Sequence, residues 1–351
     1  MSTTHPLSSA WRLVSRRHLA RWLAAAALAL LAAPAGAAPT AATTRPAATE
    51  AATGETIRLV VPFAAGGPTD AVARALAPAL ERALGAPVEV EHLPGAGGTR
   101  GALAVAQARP DGRTLLLHHV GMATAPALYR ALPYRPQRDF VALGGVVDMP
   151  MTLVVRRDFP GRNEADTIWL LRRPHASWLV AYAGLGAASH LCGLLLSEAL
   201  GVDLIQIPYQ GTGPAMRDLR AGDVDLMCDQ IINTLAPITA GEVRPVAVTS
   251  AQPLPGLVGV PTTEQVGLSG LNLSIWHGLY LPAGASDAVV RRHVRALAAA
   301  RADPAFAKAM AAVDAVVPSA ATASPQAFRR LLASETKRWA TLIRRNGQLA
   351  D

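Results

Sequence analysis

From Ile57 onward the chain alternates short apolar runs with stretches of helical periodicity, and this alternation constrains the fold most strongly. Residues 57–63 form a nearly continuous apolar run, the texture of a strand buried on both faces. Gly66-Gly67-Pro68-Thr69-Asp70 then opens a stretch in which Val72, Leu76, Leu80 and Leu84 recur at helical spacing until Gly85 and Pro87 end it. Pro78 conflicts locally with that helix. Further strands are predicted at 88–92, 114–119, 179–183, 202–208, 224–229 and 245–249. Helices are predicted at 102–108, 188–200, 214–221 and 232–240, followed by longer amphipathic ones at 287–300 and 325–346. Strands separated by helices of about ten residues imply βαβ units, hence an α/β fold with parallel-rich sheets covered on both faces. At 351 residues the chain is long for one domain and comfortable for two.

The first 54 residues have a different texture. Arg12, Arg16, Arg17 and Arg21 precede an apolar run from Trp22 to Ala33, and Ala35-Gly36-Ala37 follows. A basic segment, a short apolar segment and a small-residue site are the three parts of an export signal, so residues 1–37 are predicted to be removed near Ala37. Ser15-Arg16-Arg17-His18-Leu19 also resembles a twin-arginine signal, and the ordinary secretory route stays equally open. Residues 38–54, rich in Ala, Thr and Pro, read as a flexible linker. The formal charge of +8 is partly this address, because four arginines and no acid leave with it. What remains shows no basic stripe interleaved with aromatics, so a nucleic-acid partner is not expected.

Three Gly-rich turns stand at the carboxyl ends of predicted strands: Ala64-Ala65-Gly66-Gly67, Pro94-Gly95-Ala96-Gly97-Gly98 and Gly184-Leu185-Gly186-Ala187. In open α/β sheets ligands bind there, and small residues let backbone N–H groups and a following helix N-terminus reach an anion. Each turn taken singly is equally a plain tight turn. Gly95-x-Gly97 fails as a dinucleotide fingerprint because Arg100 stands where a third small residue belongs, and Gly184-x-Gly186 with Ser189 is a weak match. There is no G-x-S-x-G elbow and no H-E-x-x-H helix, so no catalytic residue, metal or cofactor is expected. His118 and His119 are consecutive on a strand and should face opposite ways, one reaching a pocket or both being surface residues. His190 either meets a ligand or caps its loop, and Asp70 and Asp229 either select a ligand amine or hydroxyl or cap a helix. Cys192 and Cys228 could pair in an oxidising compartment or stay as buried thiols.

The run from Ile57 through Pro62-Phe63-Ala64-Ala65-Gly66-Gly67-Pro68-Thr69-Asp70 resembles the opening of the Bug (TctC-like) solute receptors of tripartite tricarboxylate transporters. Pro94-Gly95-Ala96-Gly97-Gly98, Pro110-Asp111-Gly112, Leu132-Pro133-Tyr134, Pro208-Tyr209-Gln210-Gly211, Val260-Pro261-Thr262 and Leu281-Pro282-Ala283-Gly284 match in the same order. The resemblance implies a two-lobed periplasmic-binding-protein fold that closes like a Venus flytrap on a small carboxylate, with two interlobe crossovers. It divides the chain into lobe I (55–154 and 279–351) and lobe II (155–278), with hinges near 153–155 and 276–278. Ligand contacts are expected from Phe63, Ala64, Ala65, Gly66, Gly67 and Asp70 on one wall. Ala183, Gly184, Leu185, Gly186, Ala187, Ala188, Ser189 and His190 would form the other, with Asp229 and His118 or His119 tuning selectivity. The expected partners are a small carboxylate and the membrane components of a tripartite transporter, the protein itself being a monomer in the periplasm. The alternatives are a ligand sensor for a membrane signalling protein and, less consistent with the motifs, a secreted α/β enzyme. Gln210, the His118-His119 pair, His277, His92-Leu93 and the hydroxyl-poor turn before His190 depart from the family pattern, all near the expected ligand.

Overall fold

The computed structural model describes residues 55–174 and 177–345. The export signal, its cleavage site and the linker predicted over 1–54 lie outside the described residues. In chain order the elements are β1 (Ile57–Val61), α1 (Pro68–Leu84), β2 (Val88–His92), α2 (Thr99–Ala106), β3 (Thr114–His119), α3 (Gly121–Leu128), β4 (Phe140–Arg156), α4 (Glu164–Leu171), β5 (Leu179–Tyr182) and α5 (Ala188–Leu200). They continue with β6 (Ile205–Pro208), α6 (Thr212–Ala221), β7 (Leu226–Gln230), α7 (Ile231–Thr239), β8 (Val243–Val248), β9 (Ser274–Pro282), α8 (Asp287–Ala302), α9 (Pro304–Ala311) and α10 (Pro325–Arg345). A single 3₁₀ turn, Ala96–Gly98, leads into α2.

β1 pairs in parallel with β2 and β3, and β5 pairs in parallel with β6 and β7. These two βαβ blocks are the ones the alternation predicts. The sequence reading missed β4 and β9, which are antiparallel to every strand they touch, so the sheet is mixed rather than parallel throughout. β4 escapes a period-based reading because Gly144, Gly145, Asp148 and Pro150 break its apolar run, and its register against β9 shifts twice around the two glycines. Along β4, Phe140 to Pro150 pair with β9, whereas Met151 onward pairs with β7 and Thr152 onward with β8. Pro150 stands at that change of partner, and a proline has no N–H to extend the ladder. There Thr249 binds the Met151 carbonyl through its own N–H (2.9 Å), while its hydroxyl accepts the Met151 N–H (2.9 Å) and also engages the Leu273 carbonyl. The two chain segments that pass between the blocks are therefore tied side by side.

Both faces of the β1–β3 block are covered, as its continuous apolar runs require. Leu59, Val61, Leu115 and Leu117 pack with Val72, Leu76 and Leu80 of α1 and Leu297 of α8, while Val60 and Leu116 belong to the core that contains Phe328 and Trp339 of α10. Gly278 in β9 is required by this packing, because the Phe328 ring fills the space a β-carbon would occupy. Pro78 does not end α1: it is exposed, so the carbonyl that loses its helical partner can turn to water.

Candidate ligand-binding site

A cavity of about 540 Å³ opens where the carboxyl ends of the strands of the two blocks meet. Five helices begin on its wall: Gly67, Gly98, Ala187, Gly211 and Gln230, the N-cap residues of α1, α2, α5, α6 and α7, all line it. Each such end carries unpaired N–H groups and a partial positive charge. The N–H groups of Ala64, Ala65 and Gly67 on one side, and of Gly184 and Leu185 on the other, have no acceptor among the described residues. Among the described residues no Lys or Arg lines the cavity. Positive potential here comes from backbone.

The two turns are braced alike. The third residue of α1, Asp70, accepts the Gly66 N–H (2.8 Å), and the third residue of α5, His190, accepts the Gly186 N–H (3.3 Å). Ser189 adds a bond from the Ala183 N–H (2.8 Å). Asp70 is also held by Arg74 (3.0 Å) and His92 (2.8 Å). Burial pulls its carboxyl upward, but those three donors outweigh burial and hold it below the usual range. The 94–98 turn touches the Gly184–Ala187 turn: a β-carbon on Gly97 would collide with the Leu185 carbonyl and lie 2.8 Å from the Tyr129 hydroxyl.

Of the residues expected at the ligand, Phe63, Ala64, Ala65, Gly67, His119, Ala183, Gly184, Leu185, Ala187, Ala188, Ser189 and Asp229 line the cavity. Gly66, Asp70, His118, Gly186 and His190 stand behind that wall, the first two and the last two as the braces just described. The sequence reading did not name Thr69, Tyr129, Tyr182, Gln230 or the segment 208–214, all on the wall. The signal for 208–214 is present in Pro208-Tyr209-Gln210-Gly211, where Gln210 departs from the family pattern near the expected ligand.

His118 and His119 do not face apart. Their rings lie 5.1 Å apart and both contact Phe63, His119 stacked on it at 4.4 Å. β3 ends at His119 and the chain turns into α3 at Gly121, so the strand alternation no longer applies there. The His119 N–H donates to His118 Nδ1 (2.8 Å) and the Gly121 N–H to His119 Nδ1 (2.9 Å). With Nδ1 accepting, each neutral ring carries its proton on Nε2. His277, the cross-strand partner of His119, sits 5.8 Å away with Nε2 against the Thr69 hydroxyl (3.3 Å). All three histidines are buried, and burial, reinforced for His118 and His119 by neighbouring rings, drives their pKa down, to about 3 for His118 and about 4 for His277.

On the opposite wall Asp229 is the penultimate residue of β7. Burial raises its carboxyl to about 6 against the Gln230 N–H, Asn233 and Thr212, which pull it down. Cys228, its neighbour, is disulfide-bonded to Cys192 of α5, resolving the open choice in favour of pairing. The bridge joins the helix behind one turn to the strand that carries Asp229.

A mixed α/β sheet in two blocks, with backbone donors converging on one cleft, is the architecture of a periplasmic-binding-protein solute receptor. A family model described as "Tripartite tricarboxylate transporter family receptor" matches residues 72–348. The UPF0065 protein in the TAR-I ttuE-ttuC' intergenic region of Agrobacterium vitis is 40% identical over 292 residues, 83% of this chain and 84% of that one. The periplasmic binding protein BugD superposes with a TM-score of 0.80 at 45% identity, covering 84% of this chain and 98% of its own. MatC from Rhodopseudomonas palustris, solved with bound malate, superposes at 0.78 and 36% identity, covering 82% and 99%. The chain belongs to the TctC (Bug) family of solute-binding receptors.

Proposed function

We propose that this receptor captures a small carboxylate-bearing solute in the cleft between its two blocks and presents it to the membrane components of a tripartite transporter. The observation that carries this reading is the convergence of five helix N-termini on a cavity without Lys or Arg. Such an arrangement favours an anion through fixed dipoles and N–H donors rather than through a mobile cation. The malate bound by MatC supports the same class of ligand. Export through the signal over 1–37 would deliver the protein to the compartment in which its relative BugD is a binding protein.

In this reading one lobe is β1–β3 with the β9-paired half of β4, and the other is β5–β8 with the remainder of β4. Hinge motion would occur where β4 changes partner and the chain returns beside it, at Met151, Thr249 and Leu273. A ligand that contacts both turns favours the closed arrangement because it binds that state better. A thermal-shift panel of mono-, di- and tricarboxylates, aromatic acids and amino acids tests the reading. A bound acid raises the melting temperature by mass action, by an amount that grows with its concentration. If no acid in the panel shifts the transition, the carboxylate reading is wrong.

A further inference from the structure

Among the described residues the cleft is lined by one carboxylate, and its sign is opposite to what an acid receptor would lead one to expect. Asp229 lines the cavity at 1% exposure, with Asn233 Nδ2 at 3.3 Å and no ion-pair partner among the described residues. Its oxygens accept hydrogen bonds and donate none. The β3 wall offers the complement. His119 is 3% exposed and lines the cavity, and its Nδ1 is committed to the Gly121 N–H. Its Nε2–H has no acceptor among the described residues. Stacking on Phe63 and the cross-strand ring of His277 leave that imidazole little freedom to turn.

The cavity thus supplies neutral donors from both turns and from His119, and one buried acceptor, Asp229. A diacid satisfies the first and sets a second carboxylate against Asp229, where like charges in a partly desolvated site repel. A ligand with one acid end and one donating end satisfies both. We propose that the cleft selects a small acid whose second functional group is an amine or an amide over the matching diacid. His119 and the backbone donors hold the acid, and Asp229 receives the donating group. The inference rests on the carboxylate-receptor reading above and names the ligand class within it.

Matched ligands separate the two. Succinate, succinamate and 4-aminobutanoate, and their homologues one carbon shorter and longer, are titrated calorimetrically into wild-type protein, Asp229→Asn and His119→Phe. Losing a hydrogen bond to a charged group corresponds to roughly a ten- to hundredfold change in affinity. Wild-type protein is expected to bind the amine or amide member at least about tenfold tighter than the diacid of the same length. Asp229→Asn should erase or invert that ratio. His119→Phe, which keeps an aromatic ring on Phe63, should weaken every acid while leaving their order unchanged. Diacids that bind as tightly as the amides in wild type, with Asp229→Asn leaving the ratio unmoved, overturn this inference and leave the acid-receptor reading standing. If no member binds the wild-type protein at any length, both readings fall.

Discussion

Gly97 of one turn rests against the carbonyl of Leu185 in another, so closely that no side chain fits between them. The two residues come from different βαβ blocks, and both line the cavity. Gly97 also has a positive φ of 59°. The left-handed backbone favours glycine, and the contact with Leu185 leaves no room for a β-carbon.

Gly97→Asn separates these requirements, because asparagine tolerates the left-handed region. The variant is expected to melt close to wild type and to bind acids at least about tenfold more weakly, since the ligand must then work against the clash before the cleft can close. Calorimetry beside a melting curve reads both quantities. Wild-type affinity in the variant would mean that closure at Gly97 has no part in binding.

The three buried histidines His118, His119 and His277 should make stability depend on pH. Their pKa values in the folded protein lie below the ordinary 6.5, so between those limits the unfolded chain binds more protons. Their contribution is complete above about pH 6.5 and is lost as pH falls toward about 4. The melting temperature is expected to drop through that window. His277→Phe, which removes one titrating ring, should make the drop shallower. A melting temperature that stays level from pH 7 to pH 4 contradicts the burial argument.

Cys192 and Cys228, separated by 36 residues, close a loop that holds α5 against the end of β7. Cross-linking a loop of that length stabilises by about 3–4 kcal/mol in the chain-entropy description. Urea unfolding with and without a thiol reductant measures the difference. The double variant Cys192→Ala/Cys228→Ala should match the reduced wild type and ignore the reductant. Identical oxidised and reduced midpoints would show that the bridge adds nothing to stability.

Asp70 accepts from the Gly66 N–H, Arg74 and His92 within a 3% exposed environment. Asp70→Ala leaves the Gly66 N–H, Arg74 and His92 without their shared acceptor, which costs about 1–3 kcal/mol. The same change frees the Gly66 turn, so acid affinity should fall together with stability. A variant with wild-type unfolding and binding would show that the turn holds its shape unaided.

Much of this was legible in the sequence, and the parts that were not share a cause. The apolar run through Leu59, Val60 and Val61 announced a doubly covered strand, and Gly66-Gly67 announced a turn at the cavity wall. These are local patterns. β4 and β9 stayed hidden because Gly144, Pro150 and Gly278 serve long-range packing rather than strand periodicity. The role of Gly97 depends on Leu185, and that of Asp70 on His92, partners that no spacing rule supplies. His118 and His119 misled for a related reason: alternation holds inside a strand and lapses where the chain turns at Gly121. The pairing of two cysteines was undecidable until α5 and β7 were neighbours.

In the proposed function one small acid sits in the cleft bounded by the Phe63–Gly67 and Gly184–Ser189 turns. Ala64 lines that cleft beside Gly211, whose β-carbon position lies 3.7 Å away. A tryptophan at that position fills the ligand's space from the mouth inward. Calorimetric titration of the acid giving the largest thermal shift should show one site per wild-type chain. Ala64→Trp, folded by its melting curve, should show no binding heat. Wild-type affinity and stoichiometry in Ala64→Trp would place the ligand elsewhere and contradict the account.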